Sequence, residues 1–346
     1  PFFKQQYYVD DYIEDKVTFN KLENTVQLMQ YENRLRKFSF GKRAFLGHEY
    51  VSLGMPGTDT LGTTVQKSYN NVYVGGGIFR ETGNFWRWNI SGKINILGRN
   101  AGETEIKGLI TKPIPLWGDS LSALKVYGRI ANTVPDYFQE HYSANHIKWN
   151  QNLKMQQDVT IKGSFEYPKR NIEVGVNYAI LNNFIYNDTL GIPSQTSNEF
   201  SVFSVYLNKD FRFRNFHFIT RLLYQKSTDE RYLRLPDFAA FVSTYYKFTI
   251  FKVMFTQIGI DARYNTRYYA DAYHPATGLF HLQDEIKLGN YPFVDAYVSL
   301  RLKRTRAFFK LINVGSSFLD ANYVTVPNHP MNRMTFRLGI SWIFYD

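Results

Sequence analysis

Strict alternation of apolar and polar residues recurs along almost the whole chain and limits what it can fold into. From Trp86 to Ile96 (WRWNISGKINI), even positions carry Trp, Ile or Gly, and odd positions carry Arg, Asn, Ser or Lys. Successive side chains of a β-strand point to opposite faces, so this stretch predicts a strand with one apolar and one polar face. The pattern recurs at 172–180 and 294–303. Helical periodicity is nearly absent, and we therefore predict an all-β fold.

Alternation of this kind predicts fifteen strands. They lie at residues 22–31, 41–53, 69–80, 86–97, 102–111, 121–130, 155–166, 171–181, 199–207, 216–225, 239–249, 253–264, 293–303, 306–314 and 334–345. Most have close to the ~9–11 residues that a tilted strand needs to cross a lipid bilayer.

Long and short connections alternate over the C-terminal half of the chain. The long ones are 131–154, 182–198, 226–238, 265–292 and 315–333, and the short ones are 167–170, 208–215, 251–252 and 303–306. A membrane-spanning meander of hairpins predicts this pattern, with short turns on one side and longer loops on the other, whereas a soluble Greek-key sandwich does not. Upstream the pattern weakens, because 98–101 is short where an outer loop is expected.

The strand count follows from the direction of the last strand. If the C-terminus lies in the periplasm, the strand at 22–31 starts on the outer side, and bacterial barrels have even numbers of strands. We predict a transmembrane antiparallel up-and-down β-barrel of about 16 strands, with the extra strand at 5–13 or upstream, and 14 strands as the alternative. We expect 1–346 to be a single barrel domain that lacks upstream residues of its precursor.

Composition excludes several other classes. Cysteine is absent, which excludes a disulfide scaffold and zinc-thiolate sites. The longest apolar run, 238–242, is far shorter than the ~20 residues of a membrane-spanning helix. The formal charge is +11, which suits anionic lipid, anionic solutes or nucleic acid. The strand pattern favours lipid and solutes, and we expect no nucleic acid partner.

The C-terminal third carries a family resemblance. The segments YPFVDAYVSLRLKRTRAFFKLINV (291–314) and NYVTVPNHPMNRMTFRLGISWIFYD (322–346), together with LENTVQLMQYENRL and GKRAFLGHEY within 22–50, resemble the "putative porin" family of Bacteroidota outer membranes. The resemblance implies an outer-membrane barrel that passes small solutes. The last strand, Phe336 to Tyr345, resembles the signal that outer-membrane proteins present to the barrel-assembly machinery, although Asp346 follows the aromatic residues. Trp342, Phe344 and Tyr345 are expected in the periplasmic aromatic girdle.

Charged residues on the polar faces are the candidate functional residues. In a membrane barrel the apolar face meets lipid and the polar face lines the interior, so we predict pore-lining positions. These are Arg87, Lys93, Glu103, Glu105, Lys107, Lys125, Arg129, Lys162, Glu173, Asp261, Arg263, Asp295, Arg301, Lys303 and Arg337. One interpretation is a charged channel wall with opposed acidic and basic arcs. The other is that these charges pair with one another. Basic residues at 169–170, 212–214 and 303–306 are expected in periplasmic turns.

Other motifs carry weaker predictions. Gly75–Gly77 inside a strand indicates a kink or a close approach of chains. His141 and His146 with Glu140, and His274 and His281 with Asp284, share loops, but we predict no metal, no cofactor and no catalytic residues. The acidic run 10–15 is a candidate for cation-bridged contact with lipopolysaccharide. The sequences Asp-Thr-Leu at 59–61 and 188–190 match a short O-glycosylation signal.

Four functions were weighed against the sequence, and we predict the first of them, with the second as the alternative. The first is an outer-membrane channel for passive diffusion of small hydrophilic solutes, selecting by size and by charge, with the loops at 131–154 or 265–292 folded inward as a constriction. The second is an occluded barrel subunit of a larger membrane complex for secretion or nutrient uptake. The third is an outer-membrane hydrolase. The fourth is a soluble, aromatic-rich sugar-binding β-protein.

Overall fold

The computed structural model describes residues 5–7, 15–33, 35, 39–56, 64–83, 86–116, 118–319 and 323–344. Within them, fifteen strands form one antiparallel sheet. The strands are β1 (Thr18–Gln30), β2 (Gly41–Pro56), β3 (Thr64–Arg80), β4 (Arg87–Leu97), β5 (Thr104–Pro113), β6 (Ala123–Thr133), β7 (Gln156–Tyr167), β8 (Ile172–Asn182), β9 (Phe200–Phe213), β10 (Phe216–Ser227), β11 (Phe238–Ile250), β12 (Met254–Asn265), β13 (Phe293–Leu302), β14 (Thr305–Ile312) and β15 (Thr335–Trp342).

The connections hold short elements of their own. These are the one-turn helix α1 (Tyr137–Glu140), the 3-10 turns Pro168–Arg170 and Val314–Ser317, and four hairpins: His141–Ser143 with Lys148–Asn150, Ile185–Asn187 with Pro193–Gln195, Ala272–His274 with Leu279–His281, and Val324–Val326 with His329–Pro330. Within the described ranges, no helix is both long enough and apolar enough to cross a membrane.

The sheet is an up-and-down meander in which each strand pairs with its neighbours in sequence. All fifteen predicted strands are present, with ends shifted by a few residues; the strand predicted at 69–80, for example, begins at Thr64. Within the described residues no pairing joins β1 to β15. The predicted sixteenth strand is absent from 5–7, where the Tyr7 amide donates to the Asn145 carbonyl in a loop. Residues 8–13 lie outside the described part.

Connection lengths confirm the predicted alternation from β6 onward. The long connections 134–155, 183–199, 228–237, 266–292 and 313–334 all leave one end of the sheet, and the short connections 168–171, 214–215, 251–253 and 303–304 leave the other. We call these the long-loop end and the short-turn end. Upstream the rule fails, because 31–40 and 114–122 at the short-turn end exceed 57–63 and 98–103 at the long-loop end in length.

The two faces of the sheet differ sharply in chemistry. On the apolar face, large side chains stand free of the protein: Ile90 is 42% exposed and Ile340 is 70% exposed. On the polar face, Asn71 is 0% and Asp295 3% exposed. Burial in water-soluble proteins runs the opposite way, so the apolar face is the one that meets a non-aqueous solvent.

Exposed aromatic residues end the last strand at the short-turn end. The rings of Trp342 and Phe344 stack with centroids 6.0 Å apart, and both side chains are more than half exposed. Aromatic rings at the end of a membrane strand are typical of the girdle at the lipid–water interface. Tyr345 and Asp346, predicted to belong with them, lie outside the described residues.

Glycines on the polar face seat aromatic rings from the neighbouring strand. Gly47 pairs with Tyr73 and Gly175 with Tyr206, and a Cβ built on either glycine would lie within 2.5 Å of the ring. Gly75 is covered in the same way by the ring of Phe45. The predicted close approach at Gly75–Gly77 is therefore confirmed: the Phe45 ring covers Gly75, and the backbone oxygens of Arg43 and Ile90 approach Gly76 and Gly77.

Candidate functional site

The strand register places the predicted charged residues on one face of the sheet. Cross-strand partners point to the same side; Lys93 is opposite Glu105, and Lys107 is opposite Arg129. Following the partners across the sheet collects thirteen of the fifteen predicted residues: Arg87, Lys93, Glu105, Lys107, Lys125, Arg129, Lys162, Glu173, Asp261, Arg263, Asp295, Arg301 and Arg337. Of the other two, Glu103 immediately precedes β5 and Lys303 lies in the turn between β13 and β14.

The largest ion-pair network on this face centres on Arg129. Its guanidinium bonds to Glu105 at 2.7 Å through Nε and to Asp158 at 2.5 Å through Nη1. Lys107 reaches the same Glu105 carboxylate at 3.2 Å. Asp158 was not among the predicted residues, although it lies on the same even-numbered, polar face of β7 as Lys162. The network links β5, β6 and β7, and its side chains are one-fifth to one-half exposed.

A second network joins β12, β13 and β14. The ammonium of Lys310 lies 3.0 Å from Asp295 and 3.4 Å from Asp261. Arg263 approaches the same Asp295 carboxylate at 3.2 Å, and the Asn313 amide donates to its second oxygen at 3.0 Å. Sequence analysis missed Lys310, because its neighbours Phe309 and Leu311 made that strand look apolar.

A third network lies at the first edge of the sheet. Lys21 pairs with Glu49 at 2.8 Å and with Glu23 at 3.3 Å. The Tyr73 hydroxyl donates to Glu23 at 2.7 Å, and Lys93 lies 5.6 Å from the centre of that tyrosine ring. Sequence analysis missed Lys21, Glu23 and Glu49. Each lies on the polar face of its strand, at a period of two residues, and this alternation within β1 and β2 could have identified them.

The remaining predicted acids are held by neutral groups. Glu173 accepts hydrogen bonds from Tyr206 at 2.8 Å and from Asn208 at 3.2 Å. Glu103 accepts from the side chain of Asn95 and from the amide of Val134. Burial raises the pKa of the Glu103 carboxyl, since it disfavours the charged form.

Most charges on the polar face thus satisfy one another. Lys125 pairs with Glu166 at 2.6 Å, and Lys162 lies 5.8 Å from the Tyr127 ring. Acidic and basic side chains interleave along these strands, which supports mutual pairing for these positions rather than separate acidic and basic arcs. Among the described residues, no carboxylate lies within ion-pair distance of Arg87, Arg301, Lys303 or Arg337.

A connection folds onto the polar face at the long-loop end. Tyr137 and Phe138 of the 134–155 connection pack against Val51, Leu53 and Met55, which are almost fully buried on β2. The connection predicted to fold inward therefore lies against the polar face of the sheet. A mixed aromatic and polar cavity of about 890 Å³ lies beside it, lined by Phe19, Lys21, Glu49, Tyr142, Trp149 and Leu279, among others.

Loops from different hairpins interlock above that cavity. The Asn187 side chain donates to the Phe280 carbonyl at 2.8 Å, and the Leu282 amide donates to the Asn187 carbonyl at 3.1 Å. Ala276 packs against the cluster that contains Trp149. Three connections, 134–155, 183–199 and 266–292, therefore meet over the long-loop end.

A comparison with protein families identifies the family of this chain. Residues 2–346 match the model of a family described as "Putative porin". The chain belongs to this family. Membership places the protein in the bacterial outer membrane as a transport protein with a porin-type sheet.

Solved structures similar to this porin-family chain are outer-membrane transport proteins. They include a mutant of the ferric enterobactin receptor from Pseudomonas aeruginosa (TM-score 0.62, 12% identity, 86% of this chain and 49% of that one). The siderophore receptor PirA from Acinetobacter baumannii (0.58, 9%, 89% and 52%) and the copper transporter OprC (0.62, 12%, 87% and 51%) are also similar. The chain spans about half the length of these proteins, and the likeness is one of fold. No curated protein matches the chain.

The histidine loops of this porin-family chain differ from a metal site. The rings of His274 and His281 lie 5.7 Å apart, but Asp284 pairs with Arg234 at 2.7 Å. The His146 ring bonds to the Gln5 carbonyl. In the described part of the chain, no group of three or more His, Asp or Glu side chains is placed to hold a metal ion.

Two weaker predictions fall partly outside the described residues. Of the acidic run 10–15, only Asp15 is described, and its carboxylate accepts the Asn145 amide at 3.0 Å. The Asp-Thr-Leu sequence at 59–61 lies outside the described part. The one at 188–190 lies in a long connection, where the Asp188 carboxylate caps a local turn by accepting the amides of Leu190 and Ile192.

Proposed function

We propose that the sheet closes into a barrel and acts as a passive diffusion channel for small hydrophilic solutes. The separation of the two faces carries this proposal: an exposed apolar face suits lipid, and a charged, hydrogen-bonded face with cavities at both ends suits water. Solutes would be selected by size at the loop-covered mouth and by charge along the polar face. Neither a cofactor nor a catalytic residue is part of the mechanism.

Closure calls for one more strand. β1 and β15 both start at the long-loop end, so they run in the same direction and cannot pair antiparallel with each other. An unpaired backbone edge in hydrocarbon costs several kcal/mol per group. An additional strand that runs opposite to both would satisfy both edges and restore an even number of strands.

A second function rests on the interlocked loops. If 134–155, 183–199 and 266–292 close the mouth permanently, the chain would be an occluded subunit of a larger complex for secretion or nutrient uptake. The similar receptors named above bind siderophores or copper, which suits uptake. In either case, lipid and lipopolysaccharide would surround the barrel, and the C-terminal segment 336–345 would engage the barrel-assembly machinery.

Planar-bilayer recording separates the two functions. The purified protein in detergent is added to one side of a bilayer, and single-channel steps and the reversal potential in a salt gradient are measured. A diffusion channel gives ohmic steps without an added partner, whereas an occluded subunit gives none. Monodisperse protein in buffer without detergent would contradict both membrane functions.

A further inference from the structure

A cavity of about 770 Å³ opens on the polar face at the short-turn end, and we call it the basic basin. Its basic residues come from five elements: Arg214 from a turn, His217 from β10, Lys247 from β11, Arg301 from β13 and Arg306 from β14. Gln257 and Ser299 add an amide and a hydroxyl to the lining. No described residue that lines it is acidic.

The basin contains a like-charge pair that the strand register enforces. Arg301 and Arg306 are direct cross-strand partners on β13 and β14. Like charges directly opposite each other destabilise a sheet. Sequence analysis expected Arg306 in a periplasmic turn. The structure instead puts it within β14, on the polar face and opposite Arg301.

Several cations elsewhere on this face have acidic partners. Arg129 has two carboxylate partners, and Lys310 has two as well. Within the described residues, Arg301, Arg306 and Lys247 have no carboxylate within ion-pair distance. Lys247 lies 5.3 Å from the Tyr245 ring, on which His217 stacks. The lining of this cavity of about 770 Å³ thus contains guanidinium groups and no acidic counter-charge among the described residues.

We propose that the basic basin binds the phosphate group of a small solute. Two neighbouring guanidinium groups present planar donor pairs that match phosphate oxygens, and the Gln257 amide and Ser299 hydroxyl are neutral donors within the same lining. Binding would remove the repulsion between Arg301 and Arg306. The proposal rests on the proposed channel function and deepens it, since it names phosphorylated solutes as the class that the channel retains.

Pyrophosphate binding tests the proposal without reference to conductance. Isothermal titration of the full chain in dodecyl maltoside at low ionic strength measures the dissociation constant for inorganic pyrophosphate. We expect pyrophosphate to bind with an affinity that falls with added salt. The double variant Arg301→Gln/Arg306→Gln should raise the dissociation constant at least about tenfold. Arg170→Gln, the same change in a turn at the same end, leaves the dissociation constant unchanged.

Two further arms make the result decisive. The variant Arg301→Lys/Arg306→Lys keeps the charge and loses the planar donors, so intermediate binding is expected, while circular dichroism checks that every variant keeps its sheet. Addition of anionic phospholipid distinguishes a solute site from a headgroup site: loss of pyrophosphate binding on addition would overturn the solute assignment. No binding by the unmodified protein, or equal binding by the Gln variant, would overturn the proposed phosphate site. Single-channel steps in bilayers would still support the proposed channel function after either result.

Discussion

The ammonium of Lys310 lies 3.0 Å from the carboxylate of Asp295, a residue whose side chain is only 4% exposed. The same ammonium lies 3.4 Å from Asp261. One cation on β14 therefore neutralises two carboxylates that are directly opposite each other on β12 and β13. Opposed carboxylates repel. Arg263 on β12 also reaches Asp295, but Lys310 lies within ion-pair distance of both carboxylates, so the next strand supplies a charge that stabilises this pairing.

Removal of that cation should weaken the sheet. We expect Lys310→Met to lower the free energy of unfolding by about 1–3 kcal/mol, because two partly buried acids lose a charge-assisted partner. Urea titration of the folded protein in lipid vesicles measures the change. Lys107→Met is the control: its side chain is 49% exposed and Glu105 keeps Arg129, so the loss should stay below about 1 kcal/mol. Equal losses in the two variants would contradict the special role of Lys310.

Replacing a glycine that lies under an aromatic ring should destabilise the sheet by steric overlap. A Cβ at Gly175 would lie 2.4 Å from the Tyr206 ring, whereas one at Gly128 meets nothing within 4 Å. We expect Gly175→Val to displace Tyr206 from its hydrogen bond with Glu173 and to lower the melting temperature, while Gly128→Val is tolerated. The shift between the heat-modified and unmodified bands on a denaturing gel gives the readout. A stable Gly175→Val variant would show that the ring can move aside at little cost.

The strands and their faces could be predicted because period-two alternation is local and lies in the sequence itself. Ion pairs such as Lys310 with Asp295 could not be predicted, because they depend on the register between neighbouring strands. Alternation within each strand does not determine that register. For the same reason, Arg306 looked like a turn residue until its pairing with Arg301 was known. The packing of Tyr137 and Phe138 onto β2 joins residues some ninety positions apart in sequence, and alternation carries no information about it.

Charge selection in the proposed channel should respond to the Arg129 network. Asp158→Asn removes one of the two carboxylates that neutralise Arg129, so we expect the reversal potential in a potassium chloride gradient to shift toward anion preference. Glu199→Gln, an exposed change of the same charge in a long connection, serves as the matched variant and should cause a smaller shift. Identical reversal potentials for Asp158→Asn and the unmodified protein would place Arg129 away from the ion path.

The packing of the 134–155 connection predicts its response to proteolysis. Trp149 is 7% exposed, stacks on Tyr142 with centroids 4.6 Å apart and donates from its indole nitrogen to the Phe138 carbonyl at 2.9 Å. Trp149→Ala should release the loop from the polar face, and trypsin should then cut after Lys148 faster. Trp86→Ala, which truncates an exposed ring on the apolar face, should leave the cutting rate unchanged.

The loop hairpin 272–281 should loosen in mild acid. Burial and the neighbouring His281 lower the pKa of His274 below its ordinary value. A histidine whose folded-state pKa is depressed favours the folded loop above its unfolded pKa of about 6.5, and that contribution is lost as the pH falls below this value. Burial raises the pKa of Asp271 from a usual value near 4, so its contribution runs the opposite way: it is present in acid and is lost as the pH rises through the folded pKa. In an Asp271→Asn background, which removes the opposing contribution, hydrogen exchange of 272–281 should be faster at pH 5 than at pH 7.5, after correction for the intrinsic rate. His274→Phe in the same background should reduce the difference. A pH dependence that survives this substitution unchanged would show that His274 is not its cause.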